Sequence, residues 1–182
     1  MRIIAIHGNG QDHRIFAPLN NIDLYCIDLP GHNHRASMEK HSIENYSKFV
    51  QAKVSELNDE DCVLLGHSLG GHISLDVALH CSNLFGLISI GAPPLSTDTM
   101  AHVFKPNPTI ACVYKENPSD EELIAFIQEG SLNREYDELL LEMFHNQSAQ
   151  ARTSLFSSLQ GGVSDELLKI NQLTIPSLFV YG

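Results

Sequence analysis

The chain has 182 residues, of which 43% are hydrophobic and 18% charged, with 12 Gly and 8 Pro. This composition excludes collagenous, low-complexity and disordered classes, and fits one globular domain that buries its core without disulfide or metal staples. Lys plus Arg number 11 against 22 Asp plus Glu, a net charge of −11 that repels phosphate backbones and anionic headgroups and so argues against nucleic-acid and membrane partners.

Arg2 to Ile6 (RIIAI) is a short β-branched run stopped by His7-Gly8-Asn9-Gly10, which predicts a buried strand and a turn. Ile22 to Leu29 repeats the pattern and ends at Pro30-Gly31. Ser42 opens a stretch in which Ile43, Tyr46, Phe49, Val50, Val54 and Leu57 recur at helical spacing. Cys62 to Leu65 predicts a third strand, Leu69 to Ala78 a second helix, and Leu84 to Ile90 a fourth strand closed by Gly91-Ala92-Pro93-Pro94. Alternating strands and helices mean a parallel sheet with crossover helices. From Leu95 to Leu173 the pattern is helical: Ser119 to Glu122 reads as a capping box, and further helices are expected near Arg134 to Phe144 and Ser148 to Leu159. Pro176 then introduces a last strand, Ser177 to Tyr181. The cysteines Cys26, Cys62, Cys81 and Cys112 form no CxxC pair, the apolar part of MRIIAIHGNG is too short for a secretory h-region, and no run approaches 18 apolar residues. The expected location is the cytoplasm, with the cysteines as core filler.

Gly66-His67-Ser68-Leu69-Gly70-Gly71 falls between a predicted strand and a predicted helix, the setting that makes G-x-S-x-G a nucleophile elbow. Ser68 is the candidate nucleophile, and Gly66, His67 and Gly70 build the turn around it. The following helix aims its free N–H groups and its positive dipole end at one point, so Leu69 is a candidate oxyanion donor. The bland alternative is a glycine-rich turn whose serine merely caps the helix. Asn9, flanked by glycines, is the second candidate donor through its backbone N–H. A donor loop after one strand and an elbow after another are together what acyl transfer needs.

In this order, IHGN, DLPGH at Asp28 to His32, GHSLGGHISLD, GAPPL and IPSLFVYG resemble the α/β-hydrolase family over the whole chain. The IFAP stretch at Ile15 to Pro18, SLGGHI at Ser68 to Ile73 and the polar stretch Phe104 to Pro108 are similar to N-acylhomoserine lactonases of that fold. The resemblance implies a hydrolase core over 1–94, a helical cap over 95–173 and a return to the core over 174–182. It also implies Ser68 as nucleophile, Asn9 and Leu69 as oxyanion hole, a small acyl substrate, and no metal or other cofactor. Tyr114, Phe126, Met143, Phe144 and Phe104 are candidates to line an acyl site, although aromatics at helical spacing are more often core.

The chain departs from the family in its triad. The family places the acid and the histidine after Ser68, and both are expected beyond Gly182, as is the last strand; the first two strands of the usual sheet are missing as well. The chain is therefore expected to be part of a longer protein, with the Ser177 to Tyr181 strand open to pairing with another chain. Asp98 is the candidate internal acid. His67 and His72 flank the elbow and are expected to point away from the serine, His32 and His34 lie on a loop, and His102 and His145 fall in the cap. Asp12, His13, Asp28, His32 and His34 offer ligand atoms, but no metal-binding helix pair accompanies them, and a metal site is not expected. A rival reading is a catalytically silent hydrolase-fold module that binds a small ligand or a protein partner.

Overall fold

The computed structural model describes residues 1–57, 61–96, 109–131, 133–160 and 165–180. Five parallel strands, β1 (Arg2–Ile6), β2 (Leu24–Ile27), β3 (Cys62–His67), β4 (Leu84–Ile90) and β5 (Ser177–Val180), lie in the order β2-β1-β3-β4-β5. Alternate residues face opposite sides. Ile4, Ile6, Leu64 and Leu87 enter the main core, while Ala5 and Leu65 meet Phe16 on the other face. Phe16 belongs to a 3-10 turn, His13–Leu19, that the sequence patterns did not reveal. β2 is shorter than the predicted run because Ile22 closes a turn on Leu19 and the Leu29 N–H is used by a side chain, His7 Nε2 at 3.0 Å.

Helix α1 (Ile43–Ser55) is capped by Ser42, whose hydroxyl accepts from the Asn45 N–H at 3.2 Å, and it buries Tyr46, Val50 and Val54. Helix α2 (Leu69–Ala78) lies beside it and buries Ile73 and Val77 in the same core. Beyond β4, α3 (Asp120–Gly130) opens with the predicted capping box, in which the Glu122 N–H reaches Ser119 Oγ and the Ser119 N–H reaches Glu122. The helix expected from Arg134 begins instead as a 3-10 turn, Arg134–Tyr136, because the Asn133 side chain accepts from the Glu135 N–H; α4 (Asp137–His145) follows. Then come α5 (Ala149–Gln160) and a short helix not foreseen, α6 (Glu166–Ile170), capped by Asp165. Among the described residues no helix is long and apolar enough to cross a membrane.

Cys112, Val113, Leu123, Ile127 and Phe144 form a separate core among the later helices. Helix α5 joins it to the sheet. Its Leu155 sits in the main core at 1% exposure. Its Arg152 donates to the carbonyls of Lys115, Glu116, Phe144 and Gln147 at 2.8 to 3.3 Å, so a buried cation is satisfied wholly by backbone. Leu155→Ala is expected to cost about 2–5 kcal/mol in urea unfolding, the ordinary penalty for a cavity in a packed core. A loss under about 1 kcal/mol would mean that α5 is not anchored through this residue.

β5 is the outer strand on its side of the sheet among the described residues, and Leu178 and Val180 are 55% and 46% exposed.

Candidate active site

β3 ends in Gly66 and His67, and the chain reverses at Ser68 with φ 51° and ψ −118°, a left-handed conformation that costs an L-residue about 1–3 kcal/mol. The turn is held from both sides. The Ser68 N–H donates to the Ile90 carbonyl at 2.8 Å, and the Ser68 carbonyl accepts from the Gly71 N–H at 2.8 Å. A Cβ on Gly66 would lie 2.3 Å from the Gly70 carbonyl oxygen, and one on Gly70 would lie 2.0 Å from that of Ile6, so neither position admits a side chain. Ser68 precedes α2 without capping it: its side chain makes no cap hydrogen bond. The turn does not exist to cap the helix, and Oγ has no hydrogen-bond partner among the described residues.

The loop after β1 is clamped by side chains that sequence reasoning passed over. His7 is fully buried; its Nδ1–H donates to the Gly8 carbonyl at 2.8 Å and its Nε2 accepts from the Leu29 N–H at 3.0 Å. That fixes a neutral tautomer, and burial pushes the imidazole pKa below the ordinary 6.5. Gln11 Oε1 accepts from the Gly8 N–H at 3.0 Å and from His67 Nδ1 at 2.8 Å, joining the loop to the elbow. Gln147, at the turn between α4 and α5, donates through Nε2 to Asn9 Oδ1 at 2.6 Å and to His32 Nε2 at 2.9 Å. His32 donates in turn to the Pro30 carbonyl, and burial holds it well below the usual histidine range. The backbone N–H groups of Asn9 and Leu69 have no partner among the described residues, and both residues line the same cavity as Ser68. Two unpaired N–H donors beside an uncapped serine suit an oxyanion.

The cavity has two lobes that share Asn9, Ser68, Gly91 and Phe126. One, of about 290 Å³, is walled by Ile110, Val113 and Tyr114; the other, of about 350 Å³, by Ile127, Leu140 and Phe144. Of the apolar cap residues singled out from sequence, Tyr114, Phe126 and Phe144 line these lobes, while Met143 packs in the interior at 1% exposure. Phe104, Asp98 and His102 lie outside the described residues. His145 pairs at 3.1 Å with Asp120 on an exposed face.

His72 lines the lobe of about 290 Å³ and His67 the lobe of about 350 Å³. His72 Nδ1 is bonded to Glu166, a carboxylate 3% exposed and 94 positions along the chain. Only the fold brings this pair together; in sequence Glu166 reads as an ordinary first-turn acid after the Asp165 cap.

Asp12, His13 and Asp28 place their ligand atoms within 4.8 Å of one another. The donor set does not fit a cation. Asp12 is engaged by Arg14 through Nε and Nη2 at 3.0 and 2.7 Å, and Asp28 accepts from the His13 N–H and from Asn33 Nδ2 at 2.8 and 2.9 Å.

With this geometry in place, the comparisons with known proteins agree with one another. The family model described as "Alpha/beta hydrolase family" matches residues 3–167. The uncharacterized hydrolase YugF of Bacillus subtilis is 30% identical over 93 residues, covering 47% of this chain and 34% of that protein. The chain thus spans about a third of the length of this curated relative. N-acyl homoserine lactonase AidH, solved in complex with N-hexanoyl homoserine, superposes with a TM-score of 0.86 at 24% identity, covering 100% of this chain and 70% of AidH. An esterase from Exiguobacterium antarcticum superposes with a TM-score of 0.80 at 17% identity, covering 98% and 72%. At these identities the superpositions establish the fold.

Proposed function

The chain belongs to the alpha/beta hydrolase family, and on that premise we propose a serine hydrolase that cleaves a small acyl ester or lactone, with N-acyl homoserine lactones within its range. Ser68 Oγ attacks the carbonyl carbon, its proton passing to a base and then to the leaving oxygen. The N–H groups of Asn9 and Leu69 hold the tetrahedral oxyanion, and its collapse expels the alkoxide and leaves an acyl-Ser68 ester that water hydrolyses. The observation that carries this reading is Ser68 itself, held at φ 51° with no capping bond and opening into the cavity. A fold has no reason to keep that strain for a plain turn. The four free cysteines support a cytoplasmic location.

One observation favours a second reading. No described residue hydrogen-bonds Ser68 Oγ, as a silent module binding a small ligand would allow. Intact-mass spectrometry after treatment with a fluorophosphonate separates the two. The expected result is one adduct that disappears in Ser68→Ala; an unmodified mass, or an adduct that survives the substitution, removes the serine chemistry.

A further inference from the structure

We infer that Gln147 is the positioning residue of Asn9, the candidate oxyanion donor, and that a proton on His32 loosens its grip. This inference concerns the regulation of the site and rests on the acyl-hydrolase reading above. Gln147 is 4% exposed at the turn between α4 and α5, and its Nε2 lies 2.6 Å from Asn9 Oδ1 and 2.9 Å from His32 Nε2. An amide nitrogen carries two hydrogens, and here one goes to each partner. The turn is itself held: the Gln147 N–H donates to the Phe144 carbonyl at 3.2 Å, and the Gln147 carbonyl accepts from Arg152 Nη1 at 2.9 Å. Asn9 lies between two glycines, and the bond from Gln147 ties it to the packed helices.

His32 is fully buried, and its Nδ1 lies 3.2 Å from the Pro30 carbonyl. A carbonyl only accepts, so Nδ1 carries a hydrogen whatever the charge on the ring. Nε2 is then bare in the neutral ring and a donor in the protonated one. The bare nitrogen accepts from Gln147, whereas a protonated one would set a second N–H against the first. Turning the Gln147 amide over relieves that clash and presents Oε1 to both His32 and Asn9. Asn9 must then turn as well, offering Nδ2 in place of Oδ1, or let go. Gln147 Oε1 and Asn9 Nδ2 are the atoms this second arrangement would use, and both are buried without a hydrogen-bond partner among the described residues.

The groups that face His32 decide which arrangement prevails. The His7 ring centre is 5.0 Å away and that of Tyr46, on α1, 6.2 Å; His41 lies beyond, its Nδ1 2.7 Å from the Tyr46 hydroxyl. Arg152 of α5 brings a positive charge to the Gln147 carbonyl. Of these neighbours Asp28, just after β2, is the one that favours an imidazolium, and its carboxylate is already engaged by His13 and Asn33, with Arg35 at 3.7 Å. Burial and the neighbouring imidazoles oppose a charge, so the ring is neutral at ordinary pH. Asn9 is therefore held near neutrality and released by acid, and the reactivity of Ser68 falls with its release.

The test is heteronuclear NMR of the histidine rings and amides at about pH 7.5, where an ordinary imidazole is neutral. His32 is expected to show a hydrogen on Nδ1 and a bare Nε2. Gln147→Glu places a carboxylate, which only accepts, beside Nε2. It is expected to protonate both ring nitrogens and to draw Asn9 Nδ2 towards it, shifting the side-chain and backbone amide signals of Asn9 without added acid. Gln147→Met keeps the length of the side chain without either bond, and is expected to shift the same signals while the ring stays neutral. Fluorophosphonate labelling of Ser68 is expected to slow roughly tenfold in both variants, the worth of one buried hydrogen bond. Acidification to about pH 5 is expected to slow labelling of the unsubstituted protein more steeply than that of Gln147→Met, a difference that a merely structural glutamine would not produce. A hydrogen on Nε2 in the unsubstituted protein, Asn9 signals unmoved in both variants, or labelling at the unsubstituted rate in both would overturn the inference. Absence of labelling in the unsubstituted protein removes the serine chemistry alone, and the NMR signals then decide on Gln147 and His32 by themselves.

Discussion

Gly70→Ala is expected to destabilise the protein by roughly 3–5 kcal/mol, enough to leave a domain of ordinary stability largely unfolded. A Cβ at this position would lie 2.0 Å from the Ile6 carbonyl oxygen and 2.8 Å from that of His7. Both obstacles are backbone at the end of β1, which pairs with β2 on one side and β3 on the other and cannot give way as a side chain would. Alanine's better helix propensity, about 1 kcal/mol, works in the opposite direction and is far too small to compensate. Gly130 at the end of α3 supplies the internal control, since a Cβ there meets nothing within 4 Å. Gly130→Ala is expected to be neutral or to stabilise by a few tenths of a kcal/mol. Urea unfolding of both variants decides the matter, and a Gly70→Ala loss below about 1 kcal/mol would mean that α2 does not approach β1 as closely as described.

This contrast also marks what was legible in the sequence. The elbow was legible because its requirements are local: Gly66 and Gly70 stand two positions either side of Ser68, and the strand and helix that flank them announce themselves by period. The strands were legible because a sheet buried on both faces leaves short, nearly continuous apolar runs such as RIIAI and CVLL. The clamps around the site were not. Gln147 meets Asn9 across 138 positions, Arg152 reaches the Lys115 carbonyl across 37, and Glu166 meets His72 across 94. Each is a polar residue with an unremarkable local setting whose partner is chosen by the packing of α4, α5 and α6. His67 and His72, on either side of Ser68, line different lobes of the cavity, a division that no local pattern announces.

The same clamps make the fold sensitive to acid. Stability is expected to be greatest above about pH 7 and to fall as the pH drops through the ordinary histidine value of 6.5, by up to about 1.4 kcal/mol per pH unit for each fully buried neutral histidine. Burial lowers the pKa of His7 and His32, and likewise of His41 and His67. In the unfolded chain these rings take up protons near 6.5; in the folded protein they do so only at lower pH. Between the two the unfolded state binds more protons, so the stability present above 6.5 is lost on acidification. His7 and His32 carry most of the effect, because Nε2 of each accepts a hydrogen bond, from the Leu29 N–H and from Gln147 Nε2, and protonation would set N–H against N–H. Asp12 and Asp28 act in the same direction but later. Burial alone would raise both, yet Arg14 holds Asp12, and Asn33 and His13 hold Asp28, below the ordinary 3.8, so their share is lost only under stronger acid. Urea unfolding at several pH values between about 7.5 and 5 tests the histidine step. A flat profile over that range would mean that His7 and His32 are not the neutral acceptors on which the loop beside Ser68 is built. His7→Gln, which keeps an acceptor for the Leu29 N–H without a titrating ring, is expected to reduce the slope, and an unchanged slope would assign the acid sensitivity elsewhere.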